Sequence, residues 1–294
     1  MKPETTRFAP SPTGLLHLGH AYAAIFAADI ARASGGRFLV RMEDTDRVRS
    51  KVAFEAGILD DLRWLGLSWE EPVWRQSARV ADYLAALERL KGLGLAYPCF
   101  CTRKDIEAEV AQAAGAPQGP DGPLYAGTCR GLHDAERAAR MDAGAPFAWR
   151  LDAARAASLA GALSFEETGA GPQGEHGVIA VDGLTYGAVV LARKDGVISY
   201  HLAVVVDDAD QGVTLVTRGH DLFASAHVHR LLQALLGLPV PRYRHHRLIL
   251  DANGKRLAKR DDATSLKVLR AQGETPEGIR AQLGVTSRCG ARSA

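Results

Sequence analysis

Two histidines three positions apart, in His17-Leu18-Gly19-His20, follow the stiff stretch Phe8-Ala9-Pro10-Ser11-Pro12-Thr13-Gly14. Pro10 and Pro12 restrict φ, while Gly14 and Gly19 let the backbone approach a ligand closely. Imidazoles at the start of a helix suit an anion, because unpaired N–H groups and the positive end of the helix dipole point the same way. Far downstream, Lys255-Arg256-Leu257-Ala258-Lys259-Arg260 offers a basic loop that could close over that anion. The chain contains no G-x-x-x-x-G-K-[ST] loop. A nucleoside triphosphate would therefore be gripped by these two segments, a pattern that points to adenylate chemistry. A second constellation is Cys99-x-Cys101 followed by Tyr125-x-x-x-Cys129. Three thiolates so close in sequence favour a tetrahedral zinc ion, structural because four ligands leave no open position. His133, four residues after Cys129, has ligand spacing if that segment is helical, so the chemistry alone leaves the fourth ligand open.

Elements of regular structure must hold these groups. The pattern predicts a strand over Thr5–Ala9, a helix over Leu18–Ala33 ended by Gly35-Gly36, and a strand over Arg37–Met42 leading to Glu43-Asp44-Thr45-Asp46. A helix over Val52–Leu65 shows Ile58, Leu62 and Leu65 on one face, and Val73–Gln76 and a helix near Val80–Leu90 follow. This β-α-β-α alternation implies a parallel sheet with crossover helices. From Tyr97 to about Arg150 the composition changes to cysteines, a Gly/Pro-rich loop over Gly115–Pro123 and a helical Asp134–Met141, as in an inserted subdomain. Ala160–Gly177 reads as irregular, and strand-like stretches resume at Gly187–Ala192, Val197–Tyr200, Val204–Val206 and Val213–Arg218. A helix near Ala226–Leu236 and a strand over Tyr243–Leu250 precede the lysine loop.

The chain has 294 residues, 47% hydrophobic and 24% charged, enough for a sizeable core in one main domain with an insertion. Its net charge of +2 declares no strong nucleic-acid field, though Arg242, Arg244, His245, His246 and Arg247 form a local basic run. The first residues carry no apolar leader and no apolar run is long enough to span a membrane, so a cytoplasmic location is expected. Cysteines there serve metals or stay free, and Cys289, in the polar tail, reads as a bystander.

Three separated blocks, Arg7–Gly14 with His17–His20, Arg41-Met42-Glu43-Asp44-Thr45-Asp46, and Val204–Gly219, together resemble the catalytic half of glutamyl-tRNA synthetases. The short chain and the cysteine set are more specifically similar to the paralogous glutamyl-Q tRNA(Asp) synthetases. The resemblance runs from about Arg7 to Leu269. It implies a class I, Rossmann-type α/β catalytic domain split by a small zinc-containing insertion, with a short C-terminal helical segment. The corresponding expected division is 1–96, first half of the Rossmann domain; 97–150, inserted subdomain; 151–260, the rest of the insertion and the second half; and 261–294, a short tail without an anticodon-binding domain. Magnesium is expected with ATP. No membrane and no obligatory protein partner is expected.

Within that resemblance His17, Gly19, His20 and Lys259 would meet the ATP phosphates, the two histidines and Lys259 as catalytic groups. Charge grows on phosphoryl oxygens during attack by a carboxylate, and donors aimed there lower the barrier. Arg7 can fork onto the glutamate side-chain carboxylate and Glu43 can hold its ammonium. The resemblance adds Tyr200 and Arg218 to that pocket, with Ser11 near its floor. It also makes Tyr125 the fourth zinc ligand, with Cys99, Cys101 and Cys129. The lysine loop departs from the family signature, with Arg256 for a lysine and Ala258 for a serine. The implied reaction is activation of L-glutamate by ATP and transfer to the queuosine base in the anticodon loop of tRNA(Asp). The alternatives are a truncated glutamyl-tRNA synthetase charging a tRNA 3′ end, and a catalytically dead zinc-containing RNA-binding module. Asp207-Asp208 suits a turn or helix cap better than a magnesium site.

Overall fold

The structure, a computed structural model, describes residues 2–112, 118–120, 122–250 and 264–285. The elements run β1 (Thr5–Phe8), α1 (Leu18–Ser34), β2 (Arg37–Met42), α2 (Val52–Trp64), β3 (Glu70–Arg75), α3 (Val80–Gly92), β4 (Ala96–Cys99) and α4 (Arg103–Gln112). There follow β5 (Gln118–Gly119), β6 (Gly122–Pro123), α5 (Asp134–Asp142), β7 (Ala148–Leu151), α6 (Ala153–Ala160), β8 (Ser164–Glu167), β9 (Gly177–Ala180) and β10 (Val190–Ala192). The chain closes with α7 (Tyr200–Asp210), β11 (Leu215–Gly219), α8 (Ser225–Leu235), β12 (Arg242–His246), α9 (Leu266–Ala271) and α10 (Pro276–Gln282). They divide into two units, one of Met1–Ala78, Thr214–His220 and Arg244–Ala294, the other of Arg79–Val213 and Asp221–Tyr243.

In the first unit β1, β2 and β3 form the expected parallel sheet, with Thr5 to Phe8 registered on Arg37 to Val40. Helix α1 is the crossover between the first two strands, and its buried Ala21, Ala24, Ala27 and Ala31 let it lie close to the sheet. Gly35 ends it at φ 67°, donating back to the carbonyls of Ala31 and Arg32. Gly36 answers a different demand. A Cβ there would sit 2.1 Å from the Glu4 carbonyl oxygen, the same oxygen that accepts from Arg37 N–H at 2.9 Å. Phe8, Val40, Met42, Ile58 and Leu62 make the core, completed by Leu266, Ile279 and Leu283 from the last two helices. Those helices start on side-chain caps: Ser265 accepts from Val268 N–H, and Thr275 accepts from Gly278 N–H ahead of Pro276.

Asp61, on α2, is 3% exposed, and its Oδ2 has no hydrogen-bond partner among the described residues. Burial, followed by the neighbouring Asp60, pushes its carboxyl up to about 6, against the opposing pull of Arg270 and Lys267. A carboxyl whose folded pKa is raised penalises the fold when ionised, so the penalty is full above pH 6 and fades towards the unfolded value near 4. Asp61→Asn is therefore expected to stabilise the chain by about 3 kcal/mol at pH 7.5 and by about half that at pH 5. Urea denaturation at the two pH values measures this, and a gain that does not change with pH would contradict it.

In the second unit β10, β7 and β4 form an antiparallel sheet, and α3, α6, α7 and α8 enclose a core of Tyr83, Leu87, Leu90, Leu151, Leu202, Val205, Leu231 and Leu232. Three segments differ from the sequence expectation. Val197–Tyr200 is not a strand: Ile198 makes an isolated bridge to Ala192, Ser199 is the N-cap of α7 and Tyr200 is its first residue. Val204–Val206 is not a strand but the middle of α7, with Leu202 through Asp208 all buried. Packing against α3 and α8 overrides the strand preference of three successive valines. Ser164–Glu167, within the stretch read as irregular, is a strand paired antiparallel with β9 and touching β12 at Tyr243. Asp207 is then a helix residue that ties helices together, accepting from Tyr83 Oη at 2.9 Å and from Arg79 Nε at 2.8 Å. Among the described residues no helix is long and apolar enough to cross a membrane.

Candidate active site

The loop after β1 is pinned by backbone bonds before any ligand is considered: Glu43 N–H donates to Pro10 O at 3.0 Å and Lys51 N–H to Pro12 O at 3.1 Å. It delivers His17 to the N-cap of α1, in extended backbone conformation. Gly19 N–H donates to His17 Nδ1 at 3.1 Å, and His17 N–H donates to His20 Nδ1 at 3.3 Å. The rings lie 3.8 Å apart between centroids. With each Nδ1 accepting, the neutral rings carry their protons on Nε2. Each therefore presents a donor, the polarity a phosphate oxygen requires. A Cβ at Gly19 would lie 3.0 Å from His17 Cε1 and would press on that ring.

Arg7 lies on β1 and Arg218 on the neighbouring β11, both buried, with relative exposures of 5% and 6%. Arg7 Nη1 donates to Thr217 O at 3.0 Å, which ties one guanidinium to the strand that carries the other. Glu43 sits just past the C-terminal end of β2, where ligands meet parallel sheets. Behind it lies the fully buried Arg41, whose Nη2 is 3.5 Å from Glu43 Oε1. Next to it Asp44 accepts from Ser77 N–H at 2.8 Å, which holds the loop after β2. Ser11 is exposed on the pinned loop. The first unit thus gathers Arg7, Ser11, Glu43, Arg218, His17, Gly19 and His20 on one set of strand ends and one helix start: two cations, one carboxylate and two imidazoles. Tyr200 belongs to the second unit, where it opens α7 after the N-cap Ser199, its ring 5.5 Å from that of His201 and 5.4 Å from that of His229. Arg256, Ala258, Lys259 and the rest of the lysine loop, like Cys289, lie outside the described residues.

The second unit also holds the sulfur cluster. The Sγ atoms of Cys99, Cys101 and Cys129 lie within 4.8 Å of one another, and Cys101 and Cys129 are 3.4 Å apart. Tetrahedral zinc with Zn–S near 2.3 Å sets sulfur–sulfur edges of about 3.8 Å, so this donor set fits such an ion. The Tyr125 hydroxyl is 3.5 Å from Cys99 Sγ and 3.3 Å from Cys101 Sγ, and it accepts from Cys129 N–H at 3.0 Å. His133 instead occupies the N-cap position of α5 and is not one of the clustered donors. Burial pushes the Cys101 thiol up to about 12. Burial also pushes Cys129 up, but the Phe100 N–H at 3.3 Å together with contacts from Tyr125 and Cys101 holds it below the ordinary thiol value. Burial and Cys101 raise the Tyr125 phenol far above its ordinary value. The three cysteines could bind a metal ion.

Sequence reasoning missed three members of this arrangement: the Arg41 behind Glu43, the Thr217 carbonyl that receives Arg7, and His245, whose Nε2 accepts from Arg218 Nε at 3.1 Å. For His245 a signal was present. Alternation along a strand puts it on the same face as Tyr243, away from the exposed Arg244.

With this geometry in hand, the relatives are informative. The model of the catalytic domain of class I tRNA synthetases (E and Q) matches residues 4–288. A glutamyl-Q tRNA(Asp) synthetase of Rhodobacter capsulatus is 55% identical over 95% of this chain and 99% of its own length. The protein of the same name from Nocardia farcinica is 48% identical over 94% of this chain and 82% of its own length. Among solved structures, the glutamate-tRNA synthetase of Elizabethkingia anophelis superposes with a TM-score of 0.72 at 29% identity, covering 89% of this chain. The chain spans about half the length of that synthetase, 53% of it.

Proposed function

The chain belongs to the class I tRNA synthetase (E and Q) catalytic-domain family, and from that premise we propose that it activates L-glutamate with ATP and passes the glutamyl group to the queuosine base in the anticodon loop of tRNA(Asp). In the first step an oxygen of the glutamate α-carboxylate attacks the α-phosphorus of ATP, the bond to the leaving pyrophosphate breaks, and glutamyl adenylate forms. In the second, a nucleophile on queuosine attacks the acyl carbon and AMP leaves. A carboxyl-phosphate anhydride is reactive enough for positioning to supply much of the second step. On this reading the enzyme works in the cytoplasm, on ATP with its magnesium.

The observation that carries the reading is the charge pattern at the strand ends. Arg7 and Arg218 are buried cations on adjoining strands, and the planar guanidinium fork suits a carboxylate. On this reading the glutamate side-chain carboxylate meets that fork, Glu43 takes the ammonium, and Ser11 lies at the floor of the pocket. Glutamine would meet the same guanidinium groups without a charge, which discriminates against it. The Nε2 donors of His17 and His20, close to Gly19, stabilise the charge that develops on the phosphoryl oxygens, and Lys259 adds a further cation to the phosphates. Zinc, held by Cys99, Cys101, Cys129 and Tyr125, would cross-link the segments around β4. The acceptor is the one for which the relatives from Rhodobacter capsulatus and Nocardia farcinica are named.

The test has two arms. Glutamate-dependent ATP–pyrophosphate exchange in the absence of tRNA is expected, and its absence would leave a binding module. Radiolabelled glutamate should then appear on queuosine-containing tRNA(Asp), on the anticodon-loop fragment released by nuclease digestion and not on the 3′-terminal nucleoside. Label on the 3′ end of tRNA(Glu) instead would replace the proposed acceptor by that of an ordinary glutamyl-tRNA synthetase.

A further inference from the structure

We infer that His245 is a positioning residue for glutamate recognition, acting through Arg218 as a neutral orienting acceptor; the inference rests on the reading of Arg218 as a ligand of the glutamate carboxylate. Two strands bring the pair together. Arg218 is the last residue but one of β11, and His245 the last but one of β12. Both are buried, at 6% and 3% exposure. Arg218 Nε donates to His245 Nε2 across 3.1 Å. An imidazole nitrogen that accepts cannot carry a proton, so His245 holds its proton on Nδ1 and is neutral.

That choice of partner matters for an arginine that must take a carboxylate. The guanidinium is planar, so fixing Nε fixes the plane and the direction of both Nη groups, the fork that a carboxylate meets. A carboxylate in the place of His245 would orient the fork equally well, but its negative charge would compete with the substrate for the cation. A neutral imidazole orients without competing. The adjacent His246 faces elsewhere. Its Nδ1 lies 2.9 Å from Arg247 O, and its ring meets Tyr22 and Phe26 of α1 edge-on, at 5.1 and 5.2 Å between centroids. Alternation along β12 thus gives one histidine to the helix and the other to Arg218.

The experiment compares three substitutions in glutamate-dependent pyrophosphate exchange, with thermal denaturation as a control for folding. His245→Gln keeps a neutral acceptor, and KM for glutamate is expected to stay within about threefold of the parent. His245→Leu removes the acceptor and should raise KM for glutamate by about tenfold to a hundredfold, with KM for ATP unchanged. His245→Glu keeps an acceptor but adds charge, and should raise KM for glutamate by about tenfold or more. This third variant keeps the question open to measurement should the leucine variant fail to fold. Equal losses in the glutamine and leucine variants, or a glutamate variant that binds substrate as the parent does, would overturn the inference. Absence of exchange in the parent protein would instead remove the functional reading beneath it, and the two failures are therefore distinguishable.

Discussion

Arg7→Ala is expected to lower kcat/KM for glutamate in pyrophosphate exchange by about a hundredfold to a thousandfold, the cost of removing one partner from a buried charged pair. Arg7 is 5% exposed on β1, and its Nη1 is fixed on the Thr217 carbonyl at 3.0 Å, so little in the fold can move in to replace it. The loss should fall on glutamate far more than on glutamine, because glutamine brings no charge for the guanidinium to meet. The preference between the two amino acids should therefore shrink along with the rate. Arg7→Lys restores the charge but not the fork, and should recover only part of the activity. Steady-state exchange with each amino acid measures both effects. A variant that keeps the parent preference for glutamate would remove Arg7 from the pocket.

Loss of the proposed zinc site is expected to have the second largest effect, and to be a matter of stability. Cys129→Ala deletes a donor whose sulfur also accepts the Phe100 N–H and lies 3.4 Å from Cys101 Sγ. Loss of bound zinc and of roughly 3–5 kcal/mol of stability in the surrounding unit should follow, less than the full binding energy of a structural site because the β10-β7-β4 sheet remains. Tyr125→Phe should weaken zinc retention against a chelator, whereas His133→Ala should leave it unchanged. Metal content and thermal denaturation with and without chelator decide the matter. A Cys129→Ala protein that carries a full equivalent of zinc would contradict the assignment.

The first βαβ turn was legible because its determinants are local. The Ala-rich face of α1, the Gly35-Gly36 stop and the apolar run of β2 all lie within one stretch of chain, and elements matched their expected bounds within a residue or so. The histidine pair was legible for the same reason, since a cap is a local device. Val204–Val206 was not, because three β-branched residues buried on every side have no periodicity by which a helix can be told from a strand. Ser164–Glu167 was missed because its partner strand lies beyond a turn with no strong hairpin signal. The Arg218–His245 bond joins residues 27 positions apart on separate strands. Only the strand alternation hinted at which face His245 occupies, and nothing in the sequence indicated what it would meet there.

The start of α1 is closed by its own residues. Its first turn is closed by the rings of His17 and His20 themselves, so the groups proposed to meet the phosphates are already at rest in one orientation. A loop that gained its shape only around ATP would have to surrender conformational entropy at each turnover, and its affinity would fall by that amount. Bonds from the backbone of His17 and Gly19 to the two rings oppose such a loss. The same arrangement makes the two imidazoles part of the helix as well as of the site. A change in their protonation would loosen the helix end in the same event that altered the donors, which ties the integrity of the fold at this point to the chemistry carried out beside it.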